Sequence, residues 1–360
     1  VRGVRPRAPP GCRGRRGRLP PTNMSEDAER HDVTALIGIA FMMMYRLRQW
    51  IKRVAPPTLI SLVRRPLEAV RSEMRAQRRR DAALVTREQL TRDLCSQGVT
   101  EGDIVMVHSS LSRLGNVSGG ADTVIQALID AVGDNGTILM PCYNSADEMV
   151  REMKQGRMID LARQSCITGA VSERFRTWPG VLRSSHPFSS VCALGPKAEF
   201  VTNDHAARPE VCHAASPVGR LVELEGKVIG LGISIAQGLG VAHCVEDTWE
   251  DFPFEVHMPP FEVSYIDSSG QQVTRDICRF DPVVSETRVD YPAGQWICEK
   301  LTQHLMRRSI MRSFPSGAAQ AWVMSARPLY DELKRLAARG VTMYLTREKL
   351  TDENRDIDNW

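Results

Sequence analysis

Two unbroken apolar runs, Ile104-Val105-Met106-Val107-His108 and Thr137-Ile138-Leu139-Met140-Pro141, bracket an amphipathic stretch at 121–129, and no other feature restricts the fold as strongly. Runs of this length without polar alternation predict strands buried on both faces. Such strands need helices above and below the sheet. Thr86-Arg87-Glu88-Gln89 is an N-cap signal for a helix over 86–94 that Gly98 ends. Further strands are expected at 190–194 and 228–232, and a hairpin at 261–266 and 273–277 turns through Ser268-Ser269-Gly270. Helices are expected at 170–177, 219–224, 294–306 and 329–338. A hairpin cannot join parallel neighbours, so the expected fold class is α/β, a three-layer domain with a mixed central sheet spanning 81–350. The polar stretch 145–164 reads as a long loop of the kind that serves as a substrate lid.

Charge divides the chain unevenly. The 360 residues carry 47 Lys+Arg and 43 Asp+Glu, a net +4, yet the basic excess sits at one end. Residues 1–23 hold seven arginines and no acid among Pro and Gly, which cannot build a core. Residues 24–44 sum to −3, residues 45–80 to +9 and residues 81–360 to −9. Residues 1–44 are therefore expected to be a disordered or non-native extension, with Met24 as the first methionine. Residues 45–80 are expected to form a basic helical arm, either solvated or lying on an anionic membrane surface. The acidic body argues against a nucleic-acid partner and is compatible with a cationic substrate. The apolar run from Val33 to Tyr45 is too short to span a bilayer, and acidic Glu26, Asp27 and Glu29 do not suit a signal peptide, so a cytoplasmic location is expected.

The nine cysteines are widely and irregularly spaced with no CxxC pair, which predicts reduced thiols and no Cys-rich zinc site. His108-Ser109-Ser110-Leu111 follows a strand, and Gly119-Gly120 opens a helix, a geometry suited to phosphate. An ordinary strand-to-helix turn reads the same way, since neither the Walker nor the Rossmann fingerprint is present. Six of the eight histidines, His108, His186, His205, His213, His243 and His257, fall between residues 108 and 257. His243 has Glu246 at i+3 and Glu250 at i+7, so on a helix Glu246 shares its face and could orient the imidazole. A metal site of His205, His213 and His243 is a further reading, without an HExxH pair to support it.

Taken together, several ordered motifs resemble the aminoglycoside 3-N-acetyltransferase family, also called the antibiotic N-acetyltransferase family. They are the run from Val107 to Gly120; Gly136-Thr137-Ile138-Leu139-Met140-Pro141; Phe175 through Pro187 with Ser189 and Ser190; Asp204-His205; Ser216-Pro217; and Gly226 through Gly232. The resemblance implies an acyltransferase that moves an acetyl group from acetyl-coenzyme A to an amine of an aminoglycoside, as in antibiotic resistance, or of a related amino sugar. It implies direct attack, no metal, and an α/β fold unlike that of the common N-acetyltransferase superfamily. It would place coenzyme A against Ser109, Ser110, Leu111, Ser118, Gly119 and Gly120, with Ser189, Ser190 and Val191 lining the pantetheine channel. His243 would be the general base, Glu246 its orienting partner, and His205 a binding or relay group. Gly240 departs from the family, which usually has Thr three residues before that histidine, and Gly230 and Ile233 depart from its usual strand. The loss of that hydroxyl supports a second reading, a non-catalytic coenzyme A or ligand-binding member of the same fold. A histidine-based metal hydrolase is the third.

Overall fold

In the computed structural model, residues 83–286, 288 and 295–344 are described. The expectations for 1–44 and for the arm at 45–80 lie outside them. Successive buried side chains of the strands at 104–109 and 137–141 point to opposite faces and divide the core in two. Val105 and Val107 face one side of the sheet and Met106 the other; Ile138 and Met140 oppose Leu139 in the same way. The fold is therefore three layers, α/β with helices on both faces.

The described part begins with β1 (Leu84–Val85) and α1 (Arg87–Ser96), which Thr86 caps by accepting the N–H of Gln89 at 3.3 Å. β2 (Ile104–Ser109), the single turn α2 (Leu111–Leu114) and β3 (Asn116–Val117) lead to α3 (Ala121–Val132). Gly133 ends α3 at φ +65°, returning its N–H to Ile129. β4 (Thr137–Pro141) follows, fully buried as its composition requires. Next come α4 (Ala146–Lys154), β5 (Ile159–Asp160), α5 (Ala170–Arg176), β6 (Leu182–Arg183), β7 (Val191–Leu194), α6 (Ala198–Thr202), α7 (Pro217–Glu223) and β8 (Lys227–Leu231). The chain continues through α8 (Gly240–Thr248), the hairpin β9 (Phe261–Ile266) and β10 (Gln272–Ile277), α9 (Pro282–Ser285), α10 (Gln295–Arg307), the hairpin β11 (Met311–Ser316) and β12 (Ala319–Ser325), and α11 (Ala326–Ala337).

The main sheet has seven strands in the order β11-β12-β8-β2-β4-β7-β6. β8, β2 and β4 are parallel, and their neighbours on both sides are antiparallel, so the sheet is mixed. α1, α3 and α5 cover one face; α6, α7, α8, α10 and α11 cover the other. Among the described residues no helix is long and apolar enough to cross a membrane.

Two parts differ from the sequence reading. The stretch 145–164 is not a loop: Ser145 caps α4, and β5 pairs with β9 in a three-stranded sheet, β10-β9-β5. Met149, Ile159 and Leu161 are buried there with Val263, Tyr265 and Ile277 in a separate small core. The hairpin β11–β12 was not expected. Pro315 lies in β11, an edge strand, where a missing N–H costs no ladder bond, and Gly317 takes φ +59° between the two strands.

Trp322 of β12 lies opposite Gly230 of β8. A Cβ on Gly230 would stand 2.0 Å from the indole, and one on Gly238 would stand 2.4 Å from it. The indole N–H donates to Ile233 O at 2.9 Å. The glycine at 230 thus makes room for a tryptophan that holds the connection between β8 and α8.

Candidate active site

α8 carries the pair that the sequence singled out. Val241, Ala242, Cys244 and Val245 bury its apolar face, and the Thr248 hydroxyl bonds Cys244 O at 2.5 Å and the Tyr330 hydroxyl at 2.8 Å in its last turn. His243 and Glu246 therefore emerge one turn apart on the same face. His243 Nδ1 lies 2.7 Å from Glu246 Oε2, with side chains 12% and 1% exposed. A carboxylate accepts, so Nδ1 carries the proton and Nε2 keeps the lone pair.

The same Oε2 accepts the Tyr344 hydroxyl at 3.0 Å. Burial and the neighbouring Glu246 push the phenol well above its ordinary value, which keeps it a donor. Glu246 Oε1 is buried without a hydrogen-bond partner among the described residues. Phe280 lies between two imidazoles, its ring centroid 4.3 Å from that of His243 and 4.7 Å from that of His257. His257 Nδ1 in turn is 3.5 Å from Asp247 Oδ1. Burial raises Asp247 to about 8, although its other oxygen accepts the Cys212 N–H at 2.6 Å.

Beside this array opens a cleft of about 610 Å³. The carboxylates of Glu246, Glu250 and Glu255 line it with the carboxyl group of Asp247, one cation, Arg208, and the rings of Trp249, Phe252 and Phe254. Such a wall suits a ligand with several ammonium groups and an apolar ring face.

The two turns singled out for phosphate lie at the ends of β2 and at the start of α3. Ser109 closes β2, and Ser110 precedes α2 with its N–H on Leu231 O at 2.9 Å. Leu111 is half-buried against the core. Ser118, Gly119 and Gly120 form the next turn, with φ +74° and +64° at the two glycines. Gly120 offers no side-chain cap to α3, and a Cβ there would meet nothing within 4 Å. The exposed Ser118 side chain and the uncapped first turn of α3 fit an anionic ligand.

Other expected residues are placed differently. Ser190 Oγ donates to Cys142 O at 2.5 Å and accepts from Arg183 Nε at 2.9 Å; Val191 is buried and gives its N–H to Ser184. Both serve the packing of β7, while Ser189 is half-buried beside them. His205 has both ring nitrogens engaged, by Ser184 Oγ at 2.8 Å and Val211 O at 2.9 Å, and burial lowers it to about 3. It packs against His186 and His213, with ring centroids at 4.9 and 6.1 Å. His213 Nε2 donates to His205 O at 3.1 Å. The metal reading of His205, His213 and His243 is thereby corrected: the first two spend ring nitrogens on carbonyl oxygens, and the third faces Glu246. Sequence reasoning missed Tyr344, Phe280 and Asp247. Asp247 adjoins Glu246 in sequence, but nothing local marks the other two.

An imidazole paired with a buried carboxylate, at one side of a doubly covered α/β sheet, is the equipment of a base-assisted transfer or hydrolysis enzyme. The chain belongs to the aminoglycoside 3-N-acetyltransferase family, whose model matches residues 106–338, and it is accordingly an acyltransferase. It is 32% identical over 265 residues to aminoglycoside N(3)-acetyltransferase VII of Streptomyces paromomycinus, covering 69% of this chain and 89% of the relative. It is 29% identical over 269 residues to aminoglycoside N(3)-acetyltransferase IX of Micromonospora chalcea, covering 69% and 91%. Among solved structures, AAC-IIIb in a binary complex with CoASH superposes with a TM-score of 0.62 at 29% identity, covering 72% of this chain and 98% of that one. Aminoglycoside acetyltransferase AAC(3)-Xa gives 0.62 at 27% identity, covering 78% and 99%. The fold is that of these enzymes and not that of the common N-acetyltransferase superfamily.

Proposed function

We propose that the protein transfers the acetyl group of acetyl-coenzyme A to an amine of an aminoglycoside or related amino sugar, with His243 as general base. The hydrogen-bonded array His243–Glu246–Tyr344 at the acidic cleft carries this reading. The coenzyme supplies an activated acyl thioester, and a relative has been solved with CoASH bound. Ser109, Ser110, Leu111, Ser118, Gly119 and Gly120 would hold it, at the ends of β2 and the start of α3.

The chain's own residues then have distinct tasks. An ammonium is not a nucleophile, so His243 Nε2 takes the proton that frees the amine lone pair for attack on the acyl carbon; such a base contributes about a hundred- to ten-thousand-fold. Glu246 fixes the imidazole through Nδ1 and balances the charge that appears when Nε2 is protonated. Tyr344 holds Glu246 through the same oxygen. Glu250 and Glu255 offset the charge of a polycationic acceptor. C–N bond formation acidifies the nitrogen, whose second proton passes to solvent as the intermediate collapses. The imidazolium returns its own proton to the departing sulfur, so the amide and the free thiol leave with the histidine ready for the next cycle.

Purified protein should release thiol from acetyl-coenzyme A with a panel of aminoglycosides and amino sugars, and His243→Ala should lose that turnover while still binding coenzyme A by calorimetry. No thiol release with any acceptor, together with intact coenzyme binding, would favour the non-catalytic reading that Gly240 supports.

A further inference from the structure

Coenzyme A presents a diphosphate and a 3′-phosphate, and the body that must receive them carries a net −9 over residues 81–360. A local cation is needed to offset that field. Near the two turns, Arg174 is occupied: its Nε meets Asp122 Oδ1 at 2.6 Å, a second nitrogen meets Oδ2 at 3.2 Å, and the guanidinium covers Trp178 at 4.9 Å. Arg176 is held by Glu173 at 2.6 Å. Arg183 spends its guanidinium on Leu161 O, Gln164 O, Cys142 O and Ser190 Oγ.

Arg113 differs from all three. It lies on α2, between Ser109–Leu111 and Ser118–Gly120, with its backbone N–H on Ser110 O at 2.9 Å. Its side chain is exposed, and its one hydrogen bond runs from Nη1 to Gly232 O at 3.4 Å. No carboxylate among the described residues pairs with it. Gly232, at φ +69°, would bring a Cβ to 3.1 Å from Arg113 Cβ and 3.3 Å from Ser110 O. The stem is thus set against the carboxyl ends of the parallel strands β2 and β8, where open α/β sheets take their ligands.

Resting on the donor assignment above, we propose that Arg113 is the specificity residue for the phosphorylated donor. Its guanidinium binds the phosphates of coenzyme A and separates that donor from an acyl-pantetheine of equal thioester chemistry. An arginine offers several N–H groups in a fork that matches phosphate oxygens, and charge-assisted bonds of this kind are the strong ones.

The test compares wild type, Arg113→Ala and Arg113→Lys with acetyl-coenzyme A, its 3′-dephospho form and S-acetylpantetheine, at one saturating acceptor. In Arg113→Ala the ratio of kcat/KM for acetyl-coenzyme A to that for S-acetylpantetheine should fall about ten- to a hundredfold, carried by KM for the phosphorylated donor. Arg113→Lys should recover part of the ratio, and the salt dependence of KM should weaken in Arg113→Ala. If the effect disappears with the dephospho donor, the contact is to the 3′-phosphate; if it persists, the contact is to the diphosphate, and either result supports the assignment. An unchanged ratio, whether both donors are unaffected or both lose equally, overturns it. A wild type that neither binds coenzyme A by calorimetry nor turns over any donor would instead defeat the donor assignment itself.

Discussion

Glu246 is asked to do two things with one oxygen, accepting both His243 Nδ1 and the Tyr344 hydroxyl. The two donors respond differently to substitution. Glu246→Gln keeps the shape but removes the charge that stabilises the imidazolium, so kcat should drop about 10- to 100-fold, within the range a positioned base supplies. Tyr344→Phe removes one hydrogen bond worth about 1 kcal/mol, so a loss of about fivefold with little change in KM is expected. Equal and large losses in both variants would mean that the tyrosine touches the reacting atoms. At this scale His243 and Glu246 were legible because both lie within one helical turn, where spacing alone predicts a shared face. Tyr344 and Phe280 were not, because they reach the site only after the chain has folded. For His205, read from the resemblance as a binding or relay group, sequence shows a histidine in a motif but not that Ser184 and Val211 take both of its nitrogens.

The elements were legible in proportion to how much of their stability is local. α1 carries its own cap and stop, α3 an amphipathic pattern and the stop at Gly133, and β4 its own unbroken apolar run, so their positions followed from composition. α4 also carries local signals, Ser145 before it and acids in its first turn, which the polar character of the stretch obscured. β11 carries almost none, because Arg312, Ser313 and Pro315 belong to an edge whose place is set by β12. α8 yields a prediction of its own. A Cβ at Gly240 would have Val218 Cγ2 as its nearest neighbour at 3.8 Å, ordinary contact, so the start of this helix has room for the family's usual threonine. Gly240→Thr should leave the melting midpoint unchanged or raise stability by up to about 0.5 kcal/mol, because glycine is the poorer helix former. On the proposed site its kcat should also rise, because the resemblance puts that hydroxyl near the thioester. A marked fall in the midpoint would show that the space is not there.

Across the whole molecule, burial holds several imidazoles neutral: His108 at about 4, His205 at about 3, and His186 well below its ordinary value. In the unfolded chain each titrates near 6.5, so above that pH they add no pH dependence. Below it the unfolded state takes up protons that the fold refuses, and stability falls as the pH drops. Asp247 acts in the opposite sense, since its folded value of about 8 means that the fold, not the open chain, holds the proton between pH 4 and 8. The histidines outnumber it, and the net loss between pH 7 and 5.5 should be about 2 kcal/mol. Urea midpoints at the two pH values measure it, and equal midpoints would contradict the burial of these rings.

The indole of Trp322, pressed over Gly230 and Gly238, also limits how this sequence can drift. Any side chain gained at either glycine collides with the ring, while a smaller residue at 322 leaves a void and releases Ile233 O. Each single step is therefore a loss, and only concerted exchange restores the packing. In this chain the three positions are packed as one unit, so Gly230, a departure from the family's usual strand, is tied by contact to a hairpin far along the chain.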